Sequence, residues 1–188
     1  MSEGNRTKYL LKESLIDLCR QQSFHKISVQ QIAQKAEVNR QTFYYHFSDK
    51  YDLLRWIYQE DALRFLDSQL ISLDNWEEQA LKMLKSIAAN KEFYQNTVEA
   101  DQEILQNEFT KVIQLSFIKL FEQMDEEKQL SKTDKLFYAR FFSYGCSGVL
   151  IHWISEGYKE TPMEIAMQLF RLAKDTELYS YRLYEKEE

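Results

Sequence analysis

The sequence predicts an all-α protein, and three observations predict it. Turn-formers are scarce, with Gly 4 and Pro 1 in 188 residues, too few to punctuate the many short strands of a sandwich or barrel. Hydrophobic residues make up 44% and aromatics 14% of the chain, which supplies a core and argues against disorder. Apolar residues recur at helical spacing in segment after segment, with no strand pattern and no internal repeat.

Leu11, Leu15 and Leu18, with Leu10 and Cys19 beside them, mark one face of a first helix over residues 7–22. Ser28 and Gln31 have capping-box spacing ahead of Ile32, Ala33 and Ala36, so a second, short helix starts at Ser28. Asn39 is a favourable N-cap for a third through Arg40, Gln41, Thr42, Phe43, Tyr44 and Tyr45. Ser48 and Asp49 cap a longer helix carrying Leu53, Leu54, Ile57 and Tyr58. Further on, residues 76–90 form one helix, and Ile104, Leu105, Phe109, Val112, Phe117 and Leu120 mark another. Residues 125–134 read as an exposed connection. Residues 136–154 carry one formal charge, Arg140, and apolar residues on all sides, which predicts a helix buried all round, either a core helix or a subunit interface. Gly157 ends it, and Thr161, Pro162 and Glu164 open a last helix as N-cap, first helical position and capping glutamate.

Charge is divided unevenly. The net charge is −6, yet residues 1–50 hold eight Lys/Arg against five Asp/Glu, a balance of +3, leaving −9 for the rest. A mildly basic module on an acidic body hints at an anion-binding end. Cys19 and Cys146 are isolated thiols, which suit a reducing compartment and build neither a disulfide scaffold nor a metal site. The stretch MSEGNRTKYLLKESL breaks its apolar run at Lys12 to Ser14, so no signal-peptide core is expected there and the cytoplasm is the expected location. Arg140, Ser143, Ser147 and His152 are costly in lipid, so a membrane span over 136–154 is not expected.

Two short helices joined by a tight turn and preceded by a supporting helix match a helix-turn-helix, whose second helix enters the DNA major groove. Phe43 and Phe47 are spaced to anchor one face of that second helix, while Arg40, Gln41, Thr42, Tyr44, Tyr45 and His46 supply donors and flat rings elsewhere. Arg pairs with guanine in a bidentate way, Gln with adenine, and a Thr methyl or Tyr ring meets the thymine methyl. The Tyr hydroxyls, His46 and Lys50 suit phosphates, as does the N-terminus of the helix starting near Ser48.

The stretch ISVQQIAQKAEVNRQTFYYHFSDKYDLL resembles the DNA-binding signature of TetR-family (TetR/AcrR) transcriptional regulators, through Ser28, Ile32, Ala33, Ala36, Val38, Thr42, Tyr44, Phe47, Lys50 and Leu53. Glu37 departs from it, standing where the family most often has Gly in the turn. The run FFSYGCSGVLIHWISEGYKETPMEIA is similar to a subgroup that includes regulators of dihydroxyacetone-kinase operons. The resemblance implies a TetR-like architecture: a helix-turn-helix domain over residues 1–48, and a dimerisation and effector-binding bundle over 49–188, entered through the helix starting near 49. It implies base contacts from Arg40, Gln41, Thr42 and Tyr45, with Val29 and Gln30 reaching the same groove, and phosphate contacts from Tyr44, His46, Lys50 and Ser28. The partners it implies are double-stranded DNA bearing a palindromic operator, a second copy of the chain, and a small-molecule or protein effector; repression is the default expectation, activation a possibility of the subgroup.

Other chemistry is thinly represented. His25, His46 and His152 are too scattered for a zinc motif, and GCSGV lacks nucleophile-elbow spacing, so neither a metal, a cofactor nor catalysis is expected. Phe93, Tyr94, Phe109, Phe117, Phe121, Phe137, Tyr138, Phe141, Phe142 and Trp153 are candidates to line a ligand pocket or simply to form core. The rival readings are an adaptor that keeps the helix-turn-helix fold but works through protein contacts, and a small helical enzyme.

Overall fold

A computed structural model describes the backbone of residues 3–125 and 130–184, and side chains of residues 4–125 and 130–175. Among the described residues the chain is helical, without strands. The helices are α1 (Glu3–Cys19), α2 (Val29–Lys35), α3 (Arg40–His46), α4 (Lys50–Asp61), α5 (Trp76–Ala89), α6 (Lys91–Met124), α7 (Lys132–Ser155) and α8 (Pro162–Tyr184), with 3₁₀ turns at Phe24–Lys26 and Leu63–Leu66.

The capping residues act as their sequence positions predict. Ser28 and Gln31 form a reciprocal capping box, and the Asn39 and Asp49 side chains accept from Thr42 N–H and Asp52 N–H. Each satisfies a helix N–H that has no partner within the helix. Thr161 and Glu164 exchange hydrogen bonds of 2.7 and 3.2 Å ahead of α8. α1 runs earlier than the expected 7–22, because apolar spacing fixes which face packs and not where the helix stops; Gln21 and Gln22 N–H both close onto the Leu18 carbonyl.

α1, α2 and α3 close over Leu11, Leu15, Ile32, Phe43 and Phe47, with Leu53 and Leu54 of α4 completing the core; all seven are buried. Glu37, between α2 and α3, has φ 55, so the left-handed turn is made without glycine. α4 packs on α1 through Tyr9 Oη donating to Glu60 Oε1 at 2.7 Å and an ion pair of Lys12 with Asp61. Its far face enters the body, where the Tyr58 ring stacks on Tyr94 at 5.4 Å and its hydroxyl donates to Thr97 Oγ1 at 2.7 Å.

Three features of the body differ from expectation. First, helix begins at Lys91, well before Ile104, and α6 is two helices joined at Asp101, whose φ −158 and ψ 91 leave the helical region. The Asp101 carboxylate then accepts from Glu103 N–H at 3.2 Å and restarts the helix, a competition between side chain and backbone that apolar spacing does not reveal. Second, the connection 125–134 is not uniformly exposed: Asp125 pairs with Lys135 at 2.6 Å, its side chain only 7% exposed, while residues 126–129 lie outside the described residues.

Third, α7 is not buried all round. Ala139, Ser143, Ser147, Leu150, Trp153 and Ile154 face inward, whereas Phe137, Phe141 and Tyr144 stand 52%, 65% and 58% exposed. One face of α7 thus joins the core of the chain, while the other is left uncovered. α8 adds Met163, Met167 and Leu172 to the exposed apolar surface. The α7 end is sharp: Gly157 takes φ +78 and Tyr158 φ 59, with Tyr158 N–H closing onto the Trp153 carbonyl at 3.0 Å and its ring edge-on to Trp153. No described helix is long and apolar enough to cross a membrane.

Candidate nucleic-acid interface

α3 separates its two faces by spacing alone. Phe43 and Phe47, one turn apart, fill the core with ring centroids 6.0 Å apart. The residues on the opposite side face outward, and Arg40, Gln41, Tyr44 and Tyr45 are exposed. Tyr45 is the extreme case, an aromatic ring 84% exposed. With Tyr44 also 45% exposed, two neighbouring rings are left uncovered on this face.

Two of these side chains are already organised. Arg40 Nη2 donates to Tyr44 Oη at 3.0 Å, and the guanidinium lies 5.3 Å from the Tyr44 ring centroid. The pairing holds the arginine fork along the exposed face. Thr42 is committed at its base, with both its N–H and its Oγ1 bonded to Asn39 Oδ1, at 2.7 and 3.0 Å. The Thr42 methyl is the part of that side chain left for apolar contact. At the start of α2, Gln30 is exposed and Val29 packs partly against the core. His46 is half-buried beside Tyr45, and burial first, then the nearby Lys8 charge, pull its pKa below the usual imidazole value.

Two residues expected to hold phosphates also have structural partners within the chain. The Ser28 hydroxyl is engaged with Gln31, both as the cap acceptor and in a 3.0 Å contact with Oε1. Lys50 Nζ donates to the carbonyls of Phe24, His25 and Ile27 at 2.8, 3.1 and 2.9 Å. An ammonium has three N–H donors, and all three are engaged within the chain. Burial lowers the Lys50 pKa. The N-terminus of α4, expected to meet an anion, is filled by its own carboxylates: Asp49 bonds Asp52 N–H at 2.7 Å and Asp52 bonds Ser48 N–H at 3.0 Å.

Lys50→Met keeps the aliphatic stem and deletes three charge-assisted bonds. It is expected to destabilise the protein by about 1–3 kcal/mol, read as a lower urea midpoint. An unchanged midpoint would show that water replaces the ammonium at those carbonyls without loss.

The ten aromatic candidates divide by burial. Phe93, Tyr94, Phe109 and Trp153 are core; Phe117, Phe121 and Phe142 form a half-buried cluster with centroids 5.5 to 6.0 Å apart; Phe137, Tyr138 and Phe141 are exposed. Among them only Tyr94 carries a fully buried hydroxyl without a hydrogen-bond partner.

Comparison with known proteins agrees with this geometry. Residues 14–57 match the family model described as bacterial regulatory proteins, tetR family, and residues 74–175 match that of a transcriptional regulator C-terminal region. The HTH-type dhaKLM operon transcriptional activator DhaS of Lactococcus lactis is 29% identical over 102 residues, 54% of each chain. The uncharacterized HTH-type regulator YxbF of Bacillus subtilis is 25% identical over 183 residues, 93% of this chain and 46% of its own. The chain thus spans about half the length of the curated relatives it matches. Among solved structures, the dihydroxyacetone kinase operon activator DhaS superposes with TM-score 0.71 at 24% identity, covering 90% of this chain and 95% of that one. The fatty acid degradation regulator FadR of Bacillus halodurans gives 0.61 at 18% identity, covering 88% and 93%. With both a reading head and a body matched, the chain belongs to the TetR family of bacterial transcriptional regulators.

Proposed function

We propose that the protein is a sequence-specific regulator that binds a palindromic operator as a homodimer in the cytoplasm, with residues 1–48 as reading head and 49–188 as dimerisation and effector body. The observation that carries the reading is the outward face of α3, where Arg40, Gln41, Tyr44 and Tyr45 stand exposed over a buried Phe43 and Phe47. Arg40, Gln41, Thr42 and Tyr45 meet base edges, with Val29 and Gln30 at the groove wall, while Tyr44 and His46 face the backbone. Ser28 and Lys50 contribute by holding the head in shape.

A second copy of the chain is the occupant that suits the aromatic face of α7 and the Met163 and Met167 side of α8. A twofold axis there makes the same patch self-complementary and sets two α3 helices about one DNA turn apart, ~34 to 36 Å, or a multiple of it. Repression follows from occupancy alone, since a dimer seated on a promoter blocks it without any further contact. DhaS carries the name of an activator, and a reporter driven by the selected operator distinguishes the two signs. Effector control would run through α4, because Tyr58 joins it to Tyr94 and Thr97 of α6. An effector regulates DNA affinity only by binding the two dispositions of α4 unequally.

The test is selection from a random duplex library at near-physiological salt with the wild type, Arg40→Ala and Tyr45→Ala. The expected outcome is a palindrome from the wild type and a loss of about 10- to 100-fold in preference at the contacted bases for Arg40→Ala, with the dimer intact. A wild-type pool that stays random overturns the reading and favours an adaptor acting through protein contacts.

A further inference from the structure

The turn between α1 and α2 is held from outside by two side chains. Asn96, on the first half of α6, accepts from Phe24 N–H at 2.8 Å and donates through Nδ2 to the carbonyls of Cys19 and Gln22 at 2.5 and 2.8 Å. A carboxamide has two N–H donors, and both are used. Lys50 holds the carbonyls of Phe24, His25 and Ile27 from the start of α4. Between them, six hydrogen bonds fix a stretch whose own helix is a single 3₁₀ turn. The Asn96 bonds bridge sequence separations of 72 to 77 residues.

α2 begins directly beyond this turn, at Val29, and α3 hangs from α2 through Glu37. The turn is therefore the base that sets where α3 points. Asn96 lies only half-buried, at a surface cleft of about 500 Å3 lined also by Ser23, His25 and Gln95. At that place its contribution is directional hydrogen bonding rather than apolar burial. The same short segment of α6, ahead of the break at Asp101, carries Thr97 and Tyr94 against Tyr58 of α4. Besides its contacts with α4, the head thus meets α6 at Asn96, with Arg20 facing Glu92 one turn earlier at 3.9 Å. One attachment lets a rigid body pivot, whereas a second, directional contact beside it restricts that pivot.

We propose that Asn96 is a positioning residue that sets the angle of the reading head on the body, and through it the half-site spacing that the dimer accepts. This rests on the reading above that α3 contacts DNA in a dimer. Asn96 touches no DNA itself, so its loss relaxes spacing while leaving base preference within each half-site alone.

The experiment uses the full chain and the duplex recovered by wild-type selection, alongside the same duplex with one base pair inserted or removed at its centre. The wild type is expected to lose about tenfold or more in affinity when spacing changes, and Asn96→Ala to bring that ratio within about threefold of unity, a change of the size of an ordinary coupling between sites. Asn96→Asp retains the acceptor for Phe24 N–H but sets a carboxylate against two carbonyls, and it carries the test if the alanine variant does not fold. Either folded variant keeping the wild-type ratio overturns the inference, whatever happens to its melting temperature or overall affinity. A wild type with no sequence preference defeats the DNA reading itself, and is told apart because it appears without any substitution.

Discussion

Phe141→Asp with Tyr144→Asp is expected to turn the proposed dimer into a monomer that still folds. Both rings are more than half exposed in the single chain, at 65% and 58%, so their loss removes little of its core. In an isologous contact each substitution appears twice, and four carboxylates enter an apolar interface without partners. The dissociation constant should rise by at least about 1,000-fold, as for loss of a central aromatic cluster. Sedimentation at several protein concentrations measures it, and an unchanged dimer would move the interface elsewhere. Operator affinity falls with it, by about 100- to 10,000-fold, because the second half-site is no longer bound at high effective concentration.

Phe43→Ala is expected to produce the opposite separation: the proposed dimer without a working head. Phe43 is 0% exposed and touches both Tyr44 and Phe47. Truncating a buried phenylalanine costs about 3–5 kcal/mol, a large share of the stability of any small domain. The side chain is common to the core of the head and the base of α3, so α3 loses its seat. Amide hydrogen exchange should accelerate through α2 and α3 and remain slow in α5 to α7, with DNA binding abolished. Uniform acceleration would mean that head and body unfold as one unit.

The two experiments probe features of unequal legibility. Caps and the α3 pattern could be read from the sequence because they are local: Ser28 with Gln31, Asn39 with Thr42, and Thr161 with Glu164 each act over three residues. Phe43 and Phe47 were legible for the same reason. The α7 face is legible only as apolar, because composition reports how apolar a helix is and not whether its apolar neighbours belong to the same chain, which leaves core helix and subunit interface both open. The charge of Lys50 suggests a phosphate partner but not its three carbonyl partners, which lie 23 to 26 residues away and are brought together only by packing. Asn96 gave no signal at all, since a single asparagine within a helical stretch looks like a solvated surface residue. The Asp101 break was hidden likewise, by helical residues on both sides.

The Asn96 clasp also has a temporal side. A chain made from its N-terminus at about 5–20 residues per second exposes Phe24 a full 72 residues before the side chain that accepts its N–H, an interval of roughly 4 to 14 seconds. A head that folds within that interval would have its recognition face but not its fixed bearing. Fragments released early from the ribosome would carry α3 without the clasp, so prematurely terminated chains should compete poorly with finished regulators for the operator.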